Sequence, residues 1–301
     1  MKKIAVLFLF SSFILTGCDK HPMNESESLD RQVMINFTAK SLSNSLLKSV
    51  ASAAENSIEQ IILFGANDNS EVVQTFPALQ NPQLTGTAVY VSSEVASLYV
   101  IANPSDDMES LNPLTVDDLM AMTCDYANAP QAPFLMSSMG KLSGNSINIE
   151  LVRTIAKIDI IGKNDFQVES VTVMNTPASG YVFDKGTLSV PSSDMIAYPE
   201  NSSSSVYVAE NSGQNPTKLF VKGMFQGQFT AYTIVLSTDG KPMDIERNTC
   251  YQVFITPITE LECDVNISIP EWNDMVAEEN FILAGSGASR TSKQMGHQRL
   301  P

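Results

Sequence analysis

Histidine is nearly absent: the 301 residues include two, His21 and His297. Both lie in polar stretches near the ends of the chain, where neither is held in the geometry that a general base needs. The sequence has no GxSxG elbow, no HExxH and no glycine-rich phosphate loop. Cysteine is scarce as well. Cys18, Cys124, Cys250 and Cys263 form no CxxC pair, and with so few histidines no zinc or iron–sulfur donor set is expected. Basic residues are few, with 18 Lys and Arg against 33 Asp and Glu and a formal net charge of −15. Without a basic patch to neutralise phosphates, a nucleic-acid partner is excluded. Tryptophan occurs once, at Trp272. The apolar run at the start, Ile4 to Leu15, falls short of the roughly 20 residues a membrane-spanning helix requires.

What is present begins with that run. Lys2 and Lys3 precede it and Leu15-Thr16-Gly17-Cys18 closes it. A charged start, a short apolar core and a small-residue end read as a signal peptide over residues 1–17. The closing tetrad resembles the lipobox of bacterial lipoproteins. That resemblance implies cleavage before Cys18 and lipidation of its thiol, which would hold the exported chain to a membrane. Residues 18–30 are polar and acidic and read as a lipidated leash. Asp19 resembles the export signal of surface lipoproteins in Bacteroidota.

The hydrophobic fraction of 43% supports real cores, and the length suggests two domains. Val33, Ile35 and Phe37 alternate with Met34, Asn36 and Thr38, the period of a strand with one buried face. Ser41 to Asn56 is small and polar with loosely helical leucine spacing. The solid run Ile61-Ile62-Leu63-Phe64 fits a strand covered on both faces. Thr87–Val91 and Ser97–Ala102 follow as strands. Leu114 to Met122 is the expected helix, capped by Thr115, with Asp117 and Asp118 in its first turn. Phe134–Met136, Ile147–Ile161, Val168–Met174, Tyr181–Phe183, Thr187–Val190, Leu219–Phe225, Phe229–Leu236, Thr249–Ile255 and Val265–Ile269 continue as strands. Gly140, Gly144 and Asn145 mark turns, and Ser192–Gly213 reads as a loop. Many short strands with turn signals between them give an all-β chain of β-sandwiches with little helix. The expected division is 31–146 for an N-terminal sandwich, 147–283 for a C-terminal one and 284–301 for a disordered tail.

Several smaller features have two readings each. The carboxylate pairs Asp106-Asp107, Asp117-Asp118 and Glu278-Glu279 read as solvated surface charge, and Asp106, Asp107 and Glu109 as at most a weak cation loop. Trp272 either closes a core or serves as a sugar platform. Cys250 and Cys263 flank an expected hairpin, either bridged or as buried thiols. Asn36-Phe37-Thr38 and Asn266-Ile267-Ser268 match the glycosylation sequon. No cofactor, metal site or enzymatic activity is expected.

A series of segments, Leu98–Pro104, Pro133–Ser138, Val152–Ile160, Tyr198–Asn201, Ile245–Val253 and Glu271–Asn273, resembles the fimbrillin family, the subunits of type V pili in Bacteroidota. They stand in the family's order across nearly the whole exported part. The resemblance implies two tandem transthyretin-like β-sandwich domains and a role as stalk, tip or anchor subunit of a cell-surface pilus. It implies export to the outer membrane as a lipoprotein. It also implies proteolytic removal of the first strand and filling of the emptied groove by a strand of the next subunit, a form of β-augmentation. The removable strand would carry Val33, Ile35 and Phe37, the cut would fall at Arg31, Lys40 or Lys48, and the donor strand would carry Val276, Phe281 and Leu283. Arg31 precedes the strand, and only Lys40 and Lys48 follow it before Ile58, whereas family stalk subunits carry an arginine there. Partners would be other pilus subunits in a homo- or heteropolymer, the outer membrane through the lipid, and a host or bacterial surface ligand. The alternative reading is a glycan-binding surface lipoprotein, which needs exposed aromatic platforms on one face. A secreted hydrolase is disfavoured by the missing catalytic constellation.

Overall fold

The structure, a computed structural model, describes residues 30–40 and 48–274. Its first strands are β1 (Arg31–Ala39), β2 (Lys48–Ala51), β3 (Gln60–Ala66), β4 (Val72–Thr75), β5 (Leu79–Gln80), β6 (Thr87–Val91) and β7 (Ser97–Ala102). Next come the helix α1 (Val116–Ala121), β8 (Thr123–Asp125), β9 (Met136–Lys141) and β10 (Ser146–Arg153). The strands β11 (Ile155–Gly162), β12 (Gln167–Pro177), β13 (Ser179–Tyr181), β14 (Met195–Ala197), β15 (Ser205–Ala209) and β16 (Lys218–Phe225) follow. The described chain closes with β17 (Gln228–Val235), β18 (Ser237–Thr238), β19 (Lys241–Pro242), β20 (Cys250–Pro257), β21 (Cys263–Ser268) and β22 (Glu271–Asp274). The molecule is all-β, as the alternation and turn signals imply.

The first sheet has the order β4-β3-β7-β9-β10-β1-β6, with β5 paired to β3. β10 is shared: Ser146 to Leu151 pair with β1, while Val152 and Arg153 pair with β9. The sheet therefore folds over on itself at β10, and Val33, Ile35 and Phe37 of β1 meet Ile61 and Leu63 of β3 and Leu98 and Val100 of β7 in one core. The other face of β3 and β7, with Ile62, Phe64, Tyr99 and Ile101, packs against Leu119 of α1, Phe134, Phe183 and Trp272. This is why Ile61 to Phe64 is a solid apolar run. The second half has two four-stranded sheets, β15-β11-β20-β21 and β14-β12-β16-β17. Ile158, Ile160 and Val253 of the first meet Val171, Val221 and Ile234 of the second in a third core.

Several expectations change. The division expected at 146/147 falls inside β10, a strand of the first sheet, and the chain leaves that sheet at Thr154. Gly140 lies inside β9 rather than in a turn, because a Cβ there would stand 2.7 Å from the side chains of Ile147 and Ile149. Residues 187–190 form no strand. The stretch 192–213 contains β14 and β15, whose buried Val206 and Val208 alternate among serines. The small polar stretch ends in β2 and a 3-10 turn at Ala53–Asn56, capped by Ser52, rather than in a helix. The helix is as expected: Thr115 accepts from the Asp118 N–H, and the Asp118 carboxylate accepts in return from the Thr115 N–H.

Candidate functional site

β1 is an interior strand. It runs parallel to β10, with Met34 to Ala39 opposite Ser146 to Leu151, and antiparallel to β6, with Arg31 to Ile35 opposite Val91 to Thr87. Val33, Ile35 and Phe37 are completely buried, at 0, 0 and 1% exposure. On the outer face Asn36 joins both neighbours: its Nδ2 donates to Asn148 Oδ1 at 2.8 Å, and its Oδ1 accepts from the Gly86 N–H at 2.8 Å. The asparagine of the first sequon is thus a cross-strand tie. Taking β1 out would part β10 from β6, open the core over β3 and β7, and leave two rows of backbone groups unpaired.

The C-terminal end of β1 is held by its neighbour β10 and by Asn248 of the second half. The Lys40 N–H donates to Leu151 O at 2.7 Å. The Lys40 carbonyl accepts from Arg153 Nη1 at 3.3 Å and from Asn248 Nδ2 at 3.1 Å. Arg153 is buried and also donates to Asn248 Oδ1 (2.8 Å), to the Glu55 carbonyl (3.2 Å) and to Asn56 Oδ1. Its guanidinium lies 4.5 Å from the centre of the Trp272 ring.

Beside it is a buried carboxylate. Glu55 accepts from Lys157 Nζ at 3.3 Å, from the Tyr207 hydroxyl at 2.9 Å and from Trp272 Nε1. Burial pushes the Glu55 carboxyl up, but the Lys157 ammonium and the donors from Trp272 and Tyr207 outweigh it, and the net shift is downward. The same arrangement, with burial the largest contribution, raises the Tyr207 hydroxyl. Phe134 and Tyr207 pack with Trp272 around the cluster. Trp272 belongs to β22, which runs parallel to β2 with Lys48 opposite Glu271. The segment after β1 is therefore bound to the last described strand through the backbone and through Glu55. In the sequence Arg153 and Lys157 stand out as charges within the apolar alternation of residues 147–161, whereas no local pattern singles out Glu55, Tyr207 and Asn248, which lie far from them in the chain.

The remaining candidate residues sort by position. Arg31 lies within β1, opposite Val91, and Lys48 lies within β2. Cys18, most of 18–30, the stretch 41–47, the donor residues Val276, Phe281 and Leu283, and 284–301 lie outside the described residues. Trp272 is buried and closes a core, so it is no sugar platform. The exposed aromatics Tyr90 and Phe229 stand on β6 and β17, in different sheets. Cys250 and Cys263 are not bridged to each other; the hairpin register sets Cys263 opposite Pro257 and Cys250 at the far end of its strand. Glu109 accepts from Gln60 Nε2 at 2.6 Å, and among the described residues no group of three or more His, Cys, Asp or Glu side chains could hold a metal.

No family model and no curated protein matches the sequence. Solved structures do match in shape. A candidate cell adhesion protein of Bacteroides eggerthii aligns over 80% of this chain and 96% of its own, at 15% identity and a TM-score of 0.59. The tip fimbrial protein Mfa3 of Porphyromonas gingivalis, with a C-terminal truncation, aligns over 80% of this chain and 100% of its own, at 14% identity and a TM-score of 0.56. The chain shares their fold. A candidate cell adhesion protein of Bacteroides uniformis aligns over 80% of this chain and 98% of its own, at 13% identity and a TM-score of 0.50.

Proposed function

We propose that the chain is a structural subunit of a bacterial cell-surface pilus or adhesin, exported as a lipoprotein through Cys18 and joined to other subunits by strand donation. The observation that carries this reading is β1: an interior strand at the start of the fold, with three alternating apolar residues in the core, joined to the rest by residues 41–47. A strand so placed leaves behind a slot of fixed chemistry, which an extended segment with alternating apolar residues fills. The fold shared with a tip fimbrial protein and with candidate adhesion proteins supports the same reading. The donor is residues 275–283, directly after β22. The reading contains no catalytic step; the buried titratable pairs Glu55–Lys157 and Glu210–Arg247 are engaged with each other, which supports structural roles.

The test separates exchange from native processing. A site for a sequence-specific protease is inserted between Ser43 and Asn44, the chain is cut, and the products are sized by chromatography. Loss of residues 19–43 with formation of multimers supports strand donation. A cut chain that keeps β1 bound and stays monomeric, at concentrations where added Arg31–Ala39 peptide does not exchange, overturns it.

A further inference from the structure

The three basic residues that flank β1 are not equivalent to a protease. Arg31 and Lys48 are paired within strands, and residues 41–47 contain no lysine or arginine. Lys40 directly follows β1 and has an exposed side chain, and by sequence alone the bond after it is open to a trypsin-like enzyme. Its carbonyl is not free. Such an enzyme binds its substrate as an extended segment and takes the carbonyl oxygen into a pocket of donors, and the Lys40 oxygen already holds two side-chain donors.

We propose that Arg153 and Asn248 form a latch on the Lys40 carbonyl that closes the following bond to proteolysis while the two halves of the chain are docked. Arg153 cannot swing away without losing Glu55, Asn56, Asn248 and its place over Trp272. Asn248 is fixed from both ends. Its N–H donates to Ile155 O at 2.6 Å, and its Oδ1 accepts from Arg153 Nη1. Its φ of 56° is a left-handed conformation that asparagine tolerates better than most residues. The Lys40 side chain lines a cleft of about 320 Å³ with Asp184, Glu246 and the Glu210–Arg247 pair. The latch rests on the strand-donation reading only for its purpose; the cutting rate is measurable whether or not subunits assemble. It makes excision of β1 conditional: a protease specific for basic residues acts only when the Lys40 carbonyl has come free of both Arg153 of β10 and Asn248 of the second half.

Native trypsin digestion of the chain starting at Asp19, followed by intact mass, tests this. The wild-type bond after Lys40 should be cut at least about tenfold more slowly than the same bond in a peptide spanning residues 36–46. Asn248→Gly suits the backbone and removes both side-chain contacts, and it should speed that cut about tenfold. The matched control is Asn175→Gly, at a φ of 57°, whose side chain serves Asn215 and Pro216 well away from Lys40. It should leave the rate unchanged. If Asn248→Gly does not fold, Asn248→Asp serves instead, since it keeps the acceptor for Arg153 and replaces the donor to Lys40. Wild-type cutting at Lys40 as fast as in the peptide overturns the latch, and so does equal acceleration by the variant and the control.

Discussion

At the scale of single residues, the most exacting position is Glu55. Three donors converge on it from β11, β15 and β22, and it sits in a 3-10 turn that contributes little hydrogen bonding of its own. Removing one partner of a buried ion pair leaves a desolvated charge and costs on the order of 3–5 kcal/mol. Glu55→Ala should therefore destabilise the chain by about that much in urea denaturation at neutral pH. A loss below about 1 kcal/mol would mean that Asp159, 3.8 Å from Lys157 Nζ, holds the lysine alone. The pH dependence has a definite sign. The folded Glu55 carboxyl titrates below its ordinary value of 4.5, so its contribution is complete above that value and is lost as pH falls through the lower folded one. Wild type should thus lose stability below about pH 4.5 more steeply than Glu55→Gln. Equal slopes for the two would remove Glu55 from the acid response. None of this was legible in the sequence. Lys157 and Glu55 stand 102 residues apart, and a long-range pair leaves no local pattern; the only trace was a lysine inside an apolar alternation.

At the scale of elements, legibility follows periodicity. β1 was readable because its buried face recurs at every second residue, and Ile61 to Phe64 because both faces of β3 are covered. β10 was misassigned because turn residues show where a strand starts, not which strand it joins. β15 was hidden because its two buried valines alternate with Ser205 and Tyr207 amid a serine-rich stretch. Truncations rank these elements. Ile35→Ala and Ile158→Ala each remove a wholly buried side chain from a different core and should each cost about 2–5 kcal/mol. The two cores share no residue, so the costs should add in the double variant. A measured coupling above about 0.5 kcal/mol would show that the cores communicate through the Trp272 cluster between them.

At the scale of the whole molecule, β22 ties the described chain shut. It pairs with β2, and its Trp272 reaches Glu55, Phe134, Tyr207 and Arg153, residues spread from the first half to the second. If residues 275–283 are donated as proposed, this closure has to survive while the segment after β22 departs, a division between what the chain keeps and what it gives. Two truncations test that division. A chain ending at Asp274 retains β22 and should unfold within about 0.5 kcal/mol of the full chain, as expected when no buried contact is lost. A chain ending at Pro270 loses the one tryptophan, and removal of a buried aromatic costs about 3–5 kcal/mol. It also takes one of the three donors from the buried Glu55 carboxylate, so it should fall further and show increased trypsin cutting at Lys40. If truncation at Asp274 is as damaging as truncation at Pro270, residues 275–283 belong to this chain's own fold and are not available to a neighbour. The multimers formed after removal of β1 would then require a donor from a different subunit.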